Sequence, residues 1–248
     1  EPASMIKVDE NGRISGRAEK VPFAAGSQDL AALVEPPSGT NHQVAILKRT
    51  DASVLPGRNV AAEPRDSVLL DQIEPIVLSD PLPELNPSNI LLLGALARSL
   101  QMNRAIGVVL NMCIEYAQQR PAFGRPISKF QSIQHYLAIL AGEYAASLAI
   151  TAAAEESFIQ HPQIEETNII PIASAKLRVG EAVNKVCALS HQIHGAMGFT
   201  EEYTLHLFTH RLWSWRNDFG NEAVWAVKVG RLVAKLGPEG LWPKLTTY

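Results

Sequence analysis

The first third of the chain alternates short apolar runs with turn residues. Turn signals such as Asn11-Gly12 and Pro56-Gly57 separate these runs. Ten of the 16 prolines lie at or before Pro87, and proline is costly inside helices but tolerated at strand edges and turns. The pattern predicts a small antiparallel sheet or barrel, with a loop-rich segment as the alternative. The predicted strands are residues 5–8, 13–21, 30–35, 43–48, 59–62, 67–70 and 74–78.

From Asn86 onward the apolar positions recur at helical spacing. Asn86 offers an N-cap and Pro87 suits the first helical position, which predicts a helix reaching about Gln119. Its predicted inward residues are Leu92, Leu96, Leu100, Ile106, Leu110 and Ile114.

Four further helices follow in the pattern. The second is predicted to start with Ser128 as its cap, and the others to cover about 171–191, 201–216 and 220–236. The residues predicted to face inward are Ile133, Leu137, Leu140, Tyr144 and Leu148 in the second helix, and Ala175, Val179, Val183 and Val186 in the third. The fold class predicted is therefore α+β: a small antiparallel β-domain at 1–85, then a four-helix-bundle-type α-domain at 86–248.

Composition narrows the class of protein. Of 248 residues, 46% are hydrophobic and 19% charged, as expected for a globular chain. The 22 basic and 25 acidic residues give a net charge of −3, which argues against nucleic-acid binding through bulk charge. No stretch of about 18 residues is both apolar and uncharged, so no membrane span is predicted. Cys113 and Cys187 lie in apolar helical contexts, which favours buried thiols over a disulfide.

The start of the sequence bears on localisation and completeness. Residue 1 is Glu and the first methionine is Met5, so we expect the chain to begin inside a longer product or after processing. No signal peptide is visible, and a cytoplasmic location is the expectation.

One connection between helices, residues 120–131, carries candidate chemistry. Arg120 offers a planar donor fork for phosphate, Phe123 a stacking face, and Gln131 both a donor and an acceptor. With Ile127 and Phe130, these residues are candidates to bind a planar ligand that carries phosphate. An ordinary structural loop explains the same residues.

Two further segments are candidates. In Gln192-Ile-His-Gly195-Ala-Met-Gly198, the glycines would let the backbone approach a ligand, although the spacing is not that of a dinucleotide-binding strand–turn–helix and a helix-ending loop is the alternative.

Near the last predicted turn, Asp218 and Glu222 are candidate bases and Asn221 a candidate cofactor contact. Solvated surface carboxylates explain the two acids equally well. The histidine pairs at 191/194 and 206/210 lack a carboxylate pattern, so no metal site is predicted.

In order, these segments resemble the acyl-CoA dehydrogenase family. The run from Arg120 to Gln131 is similar to the family's loop that reaches the flavin of a neighbouring subunit. The run Gln192 to Phe199, followed by Glu202-Tyr203, is similar to a glycine-rich motif of the family. The separation of about 60 residues between this run and the loop that starts at Arg120 also suits the family. The resemblance implies FAD as cofactor, with Gln192 and Gly195 among its contacts, and an acyl-CoA substrate. It also implies a homo- or hetero-oligomer, dimeric or tetrameric, and an electron-transfer protein as acceptor.

The sequence also departs from the family pattern. The family's leading all-helical domain has no counterpart in this sequence, and the stretch 20–26 lacks the tryptophan that the family places beside the flavin ring. The two positions at which the resemblance places a catalytic glutamate hold Phe219 and Gly94. Some heteromeric bacterial members, which degrade steroid side chains, divide base and flavin site between two subunits.

Three functions follow as hypotheses. The first is an FAD-dependent acyl-CoA dehydrogenase or a subunit of one, with Asp218 or Glu222 as the base if the chain is catalytic by itself. The second is a non-catalytic partner subunit that keeps the fold and the oligomer interface. The third is a helical partner-binding module outside the family.

Overall fold

A computed structural model describes residues 5–39, 41–162 and 166–246. The chain divides into two compact units, Glu1–Ile90 and Leu91–Tyr248. We refer to them as the β unit and the helical unit.

The β unit contains two antiparallel sheets. Their strands are β1 (Lys7–Val8), β2 (Ile14–Pro22), β3 (Asp29–Val34), β4 (Gln43–Lys48), β5 (Ser53–Leu55), β6 (Arg65–Ile73) and β7 (Val77–Leu78). One sheet has the strand order β1-β2-β6-β5 and the other β3-β4-β7. The core is aliphatic and includes Val8, Ile14, Val34, Ala45, Leu47, Val68, Leu70 and Ile73.

In the β unit, one predicted strand, at 59–62, was wrong, and one observed strand, β5, was not predicted. Residues 59–62 form a turn because the Asn59 side chain accepts hydrogen bonds from the backbone of Ala61 and Glu63. Strand β5, with only three residues, gave no alternating pattern long enough to detect. Buried Asp66 holds two loops together by accepting from the backbone N–H of Ala25 and of Gly57, and these bonds lower the pKa of its carboxyl.

The helical unit is built from long helices with short connections. Helix α1 (Pro87–Gln119) is followed by a hairpin, β8 (Pro121–Ala122) and β9 (Arg125–Pro126), and by α2 (Gln131–Gln160), α3 (Glu166–His194), α4 (Leu205–Trp215) and α5 (Glu222–Thr246). A 3-10 turn, Gly195–Phe199, follows α3. The core is formed by buried residues that include Met102, Ile106, Val109, Cys113, Leu140, Val179, Val183, Val186, Cys187, Leu205 and Leu212. The predicted α+β class and the helical domain are thus confirmed.

Several helix details differ from the prediction. Helix α2 starts at Gln131 with Phe130 at the N-cap, so Ser128 is not its cap. Helix α3 begins five residues before Pro171, because the apolar residues Ile170 and Ile172 on either side of this proline are buried in the helix. Leu148 was predicted to face inward and is 46% exposed.

The other helix ends also bear on the prediction. Helix α4 starts four residues later than residue 201. In α5 the backbone of Gly237 is not helical, which agrees with the predicted end at 236. The two cysteines are buried free thiols, as predicted.

Helix α2 is the one described helix whose length and composition match those of a membrane span, with a most apolar stretch of mean hydropathy 1.6. Only 28% of that stretch is buried, and Glu143 lies within the helix. Core helices of globular proteins pass the same test of length and composition.

Candidate functional site

The hairpin after α1 presents its side chains to solvent. Phe123 and Gly124 occupy the turn with φ of 50° and 77°, the left-handed conformation that a two-residue hairpin turn requires. The Phe123 ring is 96% exposed. The ring of Phe130 contacts the hairpin: the Arg125 guanidinium lies over it, 4.5 Å from its centroid, and the Phe123 ring meets it edge-on with centroids 6.2 Å apart.

The other predicted residues of this loop flank the hairpin. Arg120 and Gln131 are exposed, and the structure gives the Arg120 guanidinium no hydrogen bond or ion pair within the described ranges. The backbone of Arg120 is fixed at both ends: its N–H donates to the Tyr116 carbonyl and its carbonyl accepts from Ile127, each at 2.9 Å. Ile127 is half-buried against the core. The loop therefore holds a cation and an aromatic ring in solvent on a fixed backbone.

Tyr116 and His194 bring the two glycine-containing segments together. Their rings stack at 4.4 Å, and the Tyr116 hydroxyl donates to the His194 carbonyl at 3.3 Å. His194 directly precedes Gly195, whose φ is 57°. The base of the hairpin and the turn after α3 are therefore neighbours. Gln192 and Gly195 are both exposed there.

The hydrogen bonds of His194 indicate which of its ring nitrogens carries the proton. Nδ1 donates to the Ser190 carbonyl at 2.8 Å, which leaves Nε2 to accept from the Tyr203 hydroxyl at 3.2 Å. Burial lowers the pKa of His194, in keeping with a neutral ring. His191 is also buried, its pKa is lowered by burial, and its ring stacks on Phe199 at 4.3 Å.

A second cluster surrounds the turn between α4 and α5. Lys176 of α3 is fully buried and donates to the carbonyls of Arg216 and Gly220, at 2.6 and 2.8 Å. Burial lowers the pKa of Lys176 to about 8, although Glu222 and Asp218 act in the opposite direction. One ammonium group therefore ties the end of α4 to the turn.

Both candidate bases are engaged in ion pairs. Asp218 Oδ2 lies 3.0 Å from a terminal nitrogen of Arg98, whose guanidinium also lies over the Trp215 ring. Glu222 Oε1 lies 2.7 Å from Nε of Arg216. Each carboxylate therefore has a cation beside it rather than an open, apolar surrounding.

Phe219 fills the space beside Gly94. The ring packs against α1 so closely that a β-carbon on Gly94 would lie 2.2 Å from Phe219 Cδ1. Phe219 has a φ of 56°, and its carbonyl accepts a hydrogen bond from the Trp225 indole at 2.9 Å. Hence the two positions where the resemblance places a glutamate are in contact, and neither carries a carboxylate.

Asn221 caps helix α5. Its side-chain oxygen accepts from the Val224 N–H at 3.2 Å and its carbonyl from the Trp225 N–H. Asn221, which was predicted as a cofactor contact, therefore uses its side-chain oxygen to cap the helix.

The two clusters lie at opposite ends of α1. Gly94 and Arg98 border the Asp218 turn, whereas Tyr116 borders the hairpin. Eighteen residues of helix between Arg98 and Tyr116 span about 27 Å. The structure therefore brings together the hairpin and the Gly195 turn, and keeps both apart from Asp218, Asn221 and Glu222.

Sequence reasoning missed three residues of these clusters: Tyr116, Lys176 and Arg98. Each is a polar residue within a helix, and the spacing of apolar residues gives no reason to single it out. A lysine flanked by alanine and leucine on the buried face of α3 was the one detectable signal. Within the described part of the chain, no group of three or more His, Cys, Asp or Glu is placed to hold a metal.

Comparison with known proteins identifies the class. The model of the acyl-CoA dehydrogenase C-terminal domain matches residues 88–224, which cover α1 to the start of α5. A helical domain of this kind, preceded by a small β unit, defines an acyl-CoA dehydrogenase fold. Because the match covers more than half of the sequence, the chain belongs to the acyl-CoA dehydrogenase family.

Individual relatives agree with this. The chain is 35% identical over 102 residues to acyl-CoA dehydrogenase IpdE2 of Mycobacterium tuberculosis, covering 41% of this chain and 29% of the relative. It is 33% identical over 104 residues to 3-sulfinopropanoyl-CoA desulfinase of Paraburkholderia xenovorans, covering 41% and 26%. Each alignment spans less than a third of the relative.

A solved structure shows the same fold over nearly the whole chain. The ChsE4-ChsE5 complex from Mycobacterium tuberculosis contains a chain that superposes with a TM-score of 0.82 at 19% identity. The superposition covers 95% of this chain and 64% of that one.

Proposed function

We propose that the chain is part of an FAD-dependent acyl-CoA dehydrogenase, or a subunit of one. The reaction is α,β-dehydrogenation of an acyl-CoA thioester: a base removes the α-proton, a hydride leaves the β-carbon, and a double bond forms between the two carbons. Bound FAD would supply the hydride acceptor. The observation that carries the proposal is the rigid, exposed hairpin held beside the Gly195 turn.

The residues of this hairpin fit a dinucleotide. The Arg120 guanidinium has a planar donor fork suited to a diphosphate. The Phe123 ring offers a stacking face and meets the Phe130 ring edge-on. Ile127 anchors the end of the hairpin on the helical core. If FAD binds here, Arg120 would hold its diphosphate and Phe123 would shield a ring face from water.

The polar residues beside the hairpin fit the same ligand. Gln131 and Gln192 provide amide donors and acceptors, and Gly195 leaves the backbone open to close approach.

The FAD bound by this loop belongs to a neighbouring subunit in our proposal. The separation of about 27 Å along α1 supports this, because the loop and the Asp218 turn of one chain then serve two different ligands. The proposal includes a homo- or hetero-oligomer, dimeric or tetrameric, and an electron-transfer protein that reoxidises the flavin. It also includes a cytoplasmic location.

The CoA thioester is supported at the level of the family. Both relatives named above carry a CoA thioester in their names, although one is called a dehydrogenase and the other a desulfinase. These names do not specify an acyl group for the substrate of this chain.

The absorption spectrum of the purified chain, reconstituted with FAD, tests the proposal. We expect bound flavin bands after gel filtration, and anaerobic bleaching when a suitable acyl-CoA is added from a panel of thioesters. Absence of flavin binding at micromolar protein, alone and with candidate partner subunits, would contradict the proposal.

A non-catalytic partner subunit is the second candidate. The observation that favours it is the Phe219 ring against Gly94, together with the ion pairs of Asp218 and Glu222. Such a subunit would bind FAD without bleaching, and bleaching would appear only after a partner that carries a base is added.

A further inference from the structure

Helix α3 ends at His194, directly before the turn that carries Gly195. The last carbonyls of a helix have no partner within the helix and are satisfied from outside it. The His194 carbonyl accepts from the Tyr116 hydroxyl at 3.3 Å, so a side chain of α1 caps the end of α3. His194 itself is only 2% exposed. A contact with another helix therefore fixes the start of the Gly195 turn.

Tyr116 also belongs to the start of the hairpin. Its carbonyl accepts from the Arg120 N–H at 2.9 Å, which joins it to the first residue of the loop. Its ring stacks on the His194 ring with centroids 4.4 Å apart. One residue thus touches both segments that we propose to hold FAD: its main chain bonds to the hairpin, and its side chain bonds to the end of α3.

Tyr203 completes a cluster of three rings. Its hydroxyl donates to Nε2 of His194 at 3.2 Å, while Nδ1 of His194 donates to the Ser190 carbonyl at 2.8 Å. Burial raises the pKa of Tyr203, so the phenol keeps the proton that it donates. The rings of Tyr203 and Tyr116 meet edge-on with centroids 5.9 Å apart. Both ring nitrogens of His194 are therefore bonded, and Nε2 can accept only while the ring is neutral.

We propose that His194, held by the two tyrosines, is a positioning residue: it orders the Gly195 turn beside the hairpin before FAD binds, and protonation of its ring loosens the turn. This inference rests on the proposed function. A site that is already ordered binds its ligand more tightly, because binding then carries no ordering cost. An imidazolium would present a second N–H to the Tyr203 hydroxyl and would place a charge in a buried position.

The groups around His194 set the direction of the pH dependence. His191 lies three residues earlier on α3, and a charge on one of the two histidines opposes a charge on the other. Burial raises the pKa of the Cys113 thiol in α1 to about 12. The carboxylates on the adjoining segments of α1 and of the turn before α4 are exposed: Glu115, Glu201 and Glu202. Burial lowers the pKa of His194 below its usual 6.5, so FAD affinity should fall at acid pH rather than near neutrality.

Amide hydrogen exchange of the chain without FAD tests the link between the helices. Tyr116→Phe removes only the hydroxyl that caps His194, and we expect exchange at residues 195–199 to become at least about threefold faster. Tyr144→Phe is the matched control, because this half-buried tyrosine of α2 packs on Gly107, about 14 Å along α1 from Tyr116. The control is expected to leave exchange at 195–199 unchanged.

Fluorescence titration with FAD at pH 7.5 and pH 5.0 tests the role of the proton. We expect the wild-type dissociation constant to rise at least about threefold at pH 5.0. His194→Gln keeps a donor and an acceptor but does not titrate, so it is expected to lose this rise. His161→Gln, which changes an exposed histidine at the end of α2, is expected to keep it. Tyr203→Phe should raise the dissociation constant at pH 7.5 at least about threefold, because Nε2 then lacks its donor.

The results separate this inference from the proposed function. If His194→Gln shows the same rise at pH 5.0 as wild type, or if Tyr116→Phe does not change exchange at 195–199, the inference is overturned and the proposed function stands. A wild-type chain that binds no FAD would overturn both. The exchange measurement distinguishes the two cases, because it needs no FAD.

Discussion

The ring of Phe219 lies against Gly94 and occupies the space that any side chain on Gly94 would need. These two residues stand where the resemblance to the family places alternative catalytic glutamates. An aromatic ring and a bare backbone meet there in this chain, and the contact joins α1 to the turn before α5. Two further hydrogen bonds hold the turn: Lys176 donates to the Gly220 carbonyl, and the Trp225 indole donates to the Phe219 carbonyl.

Substitution of Gly94 is expected to destabilise the helical unit. In the variant Gly94→Ala, the added β-carbon would lie 2.2 Å from Phe219 Cδ1, so the ring has to move. Overpacking of this kind costs about 1–3 kcal/mol. Urea denaturation followed by far-UV circular dichroism measures the change in the free energy of unfolding.

Gly230→Ala is the matched control for this prediction. Gly230 lies in α5 with no atom within 4 Å of an added β-carbon, so alanine is expected to stabilise by roughly 0.5–1 kcal/mol. The double variant Gly94→Ala/Phe219→Ala is expected to show a favourable coupling relative to the two single variants. Additive effects would mean that the ring does not fill this space.

Local spacing of apolar residues suffices to predict the buried face of α3 but not that of α2. The predicted inward residues of α3 are all fully buried, because helical spacing places them on one face: Ala175, Val179, Val183 and Val186. Leu148 in α2 was predicted to face inward from the same helical spacing, but it is exposed. Because apolar residues lie all round α2, their spacing does not reveal which side meets α1 and α3.

The candidate site likewise has some features that local sequence predicts and others that it does not. The glycine and proline positions predicted a connection between helices at 120–131, and the structure shows that it contains a hairpin with Phe123 at its turn. The ion pair of Arg98 with Asp218 joins residues 120 positions apart, and a single sequence contains no signal for such a pairing.

Arg120 is expected to retain FAD. A hydrogen bond to a charged group contributes about 1.5–3 kcal/mol, so Arg120→Ala should weaken FAD binding by roughly tenfold to a hundredfold, at 1.4 kcal/mol per decade. Fluorescence titration of the apoprotein with FAD measures the change. Gln192→Ala should have a smaller effect, because a neutral hydrogen bond is weaker.

Arg104→Ala provides the control for this measurement. Arg104 is an exposed arginine of α1, twelve residues before Tyr116 and so about 18 Å along the helix from this residue at the hairpin's border. Its loss is expected to leave FAD affinity unchanged. If Arg120→Ala retains FAD as well as Arg104→Ala does, Arg120 is not part of the flavin site.

Oligomerisation is expected because the apolar faces of the helical unit remain open. Ile139, Leu148 and Ile159 are all exposed in one chain, and large apolar patches usually mark interfaces. Light scattering of the purified chain should give a mass of at least a dimer. A stable monomer at micromolar concentration would contradict this.

Lys176 is expected to make stability depend on pH. Its pKa is about 8 in the folded chain and about 10.4 in an unfolded one, so the unfolded chain binds the extra proton between these values. The cost of burying the charge is complete below pH 8 and disappears as the pH rises toward 10.4. From this residue alone, the free energy of unfolding should therefore increase between pH 8 and 10.

The variant Lys176→Met isolates this effect. It leaves the carbonyls of Arg216 and Gly220 without their donor and so lowers stability at every pH, by about 1–3 kcal/mol for each carbonyl. The measurement is the difference between wild type and variant in unfolding free energy at pH 7.5 and pH 10. The wild type is expected to gain on the variant at pH 10; a difference that does not change with pH would show that Lys176 keeps its usual pKa.

If the chain is catalytic by itself, its base is Asp218 or Glu222, the two carboxylates that flank Phe219-Gly220. Removal of a general base costs about 10²–10⁴ in rate, so Asp218→Asn or Glu222→Gln should slow flavin bleaching at least about a hundredfold. Because each carboxylate pairs with an arginine, the rates must be compared per folded, FAD-loaded chain. Arg98→Gln serves as the control for the Asp218 pair, since it removes the ion pair and keeps the carboxylate. If both acid variants bleach as fast as wild type, neither acid takes the α-proton, and a carboxylate of a partner subunit becomes the candidate base.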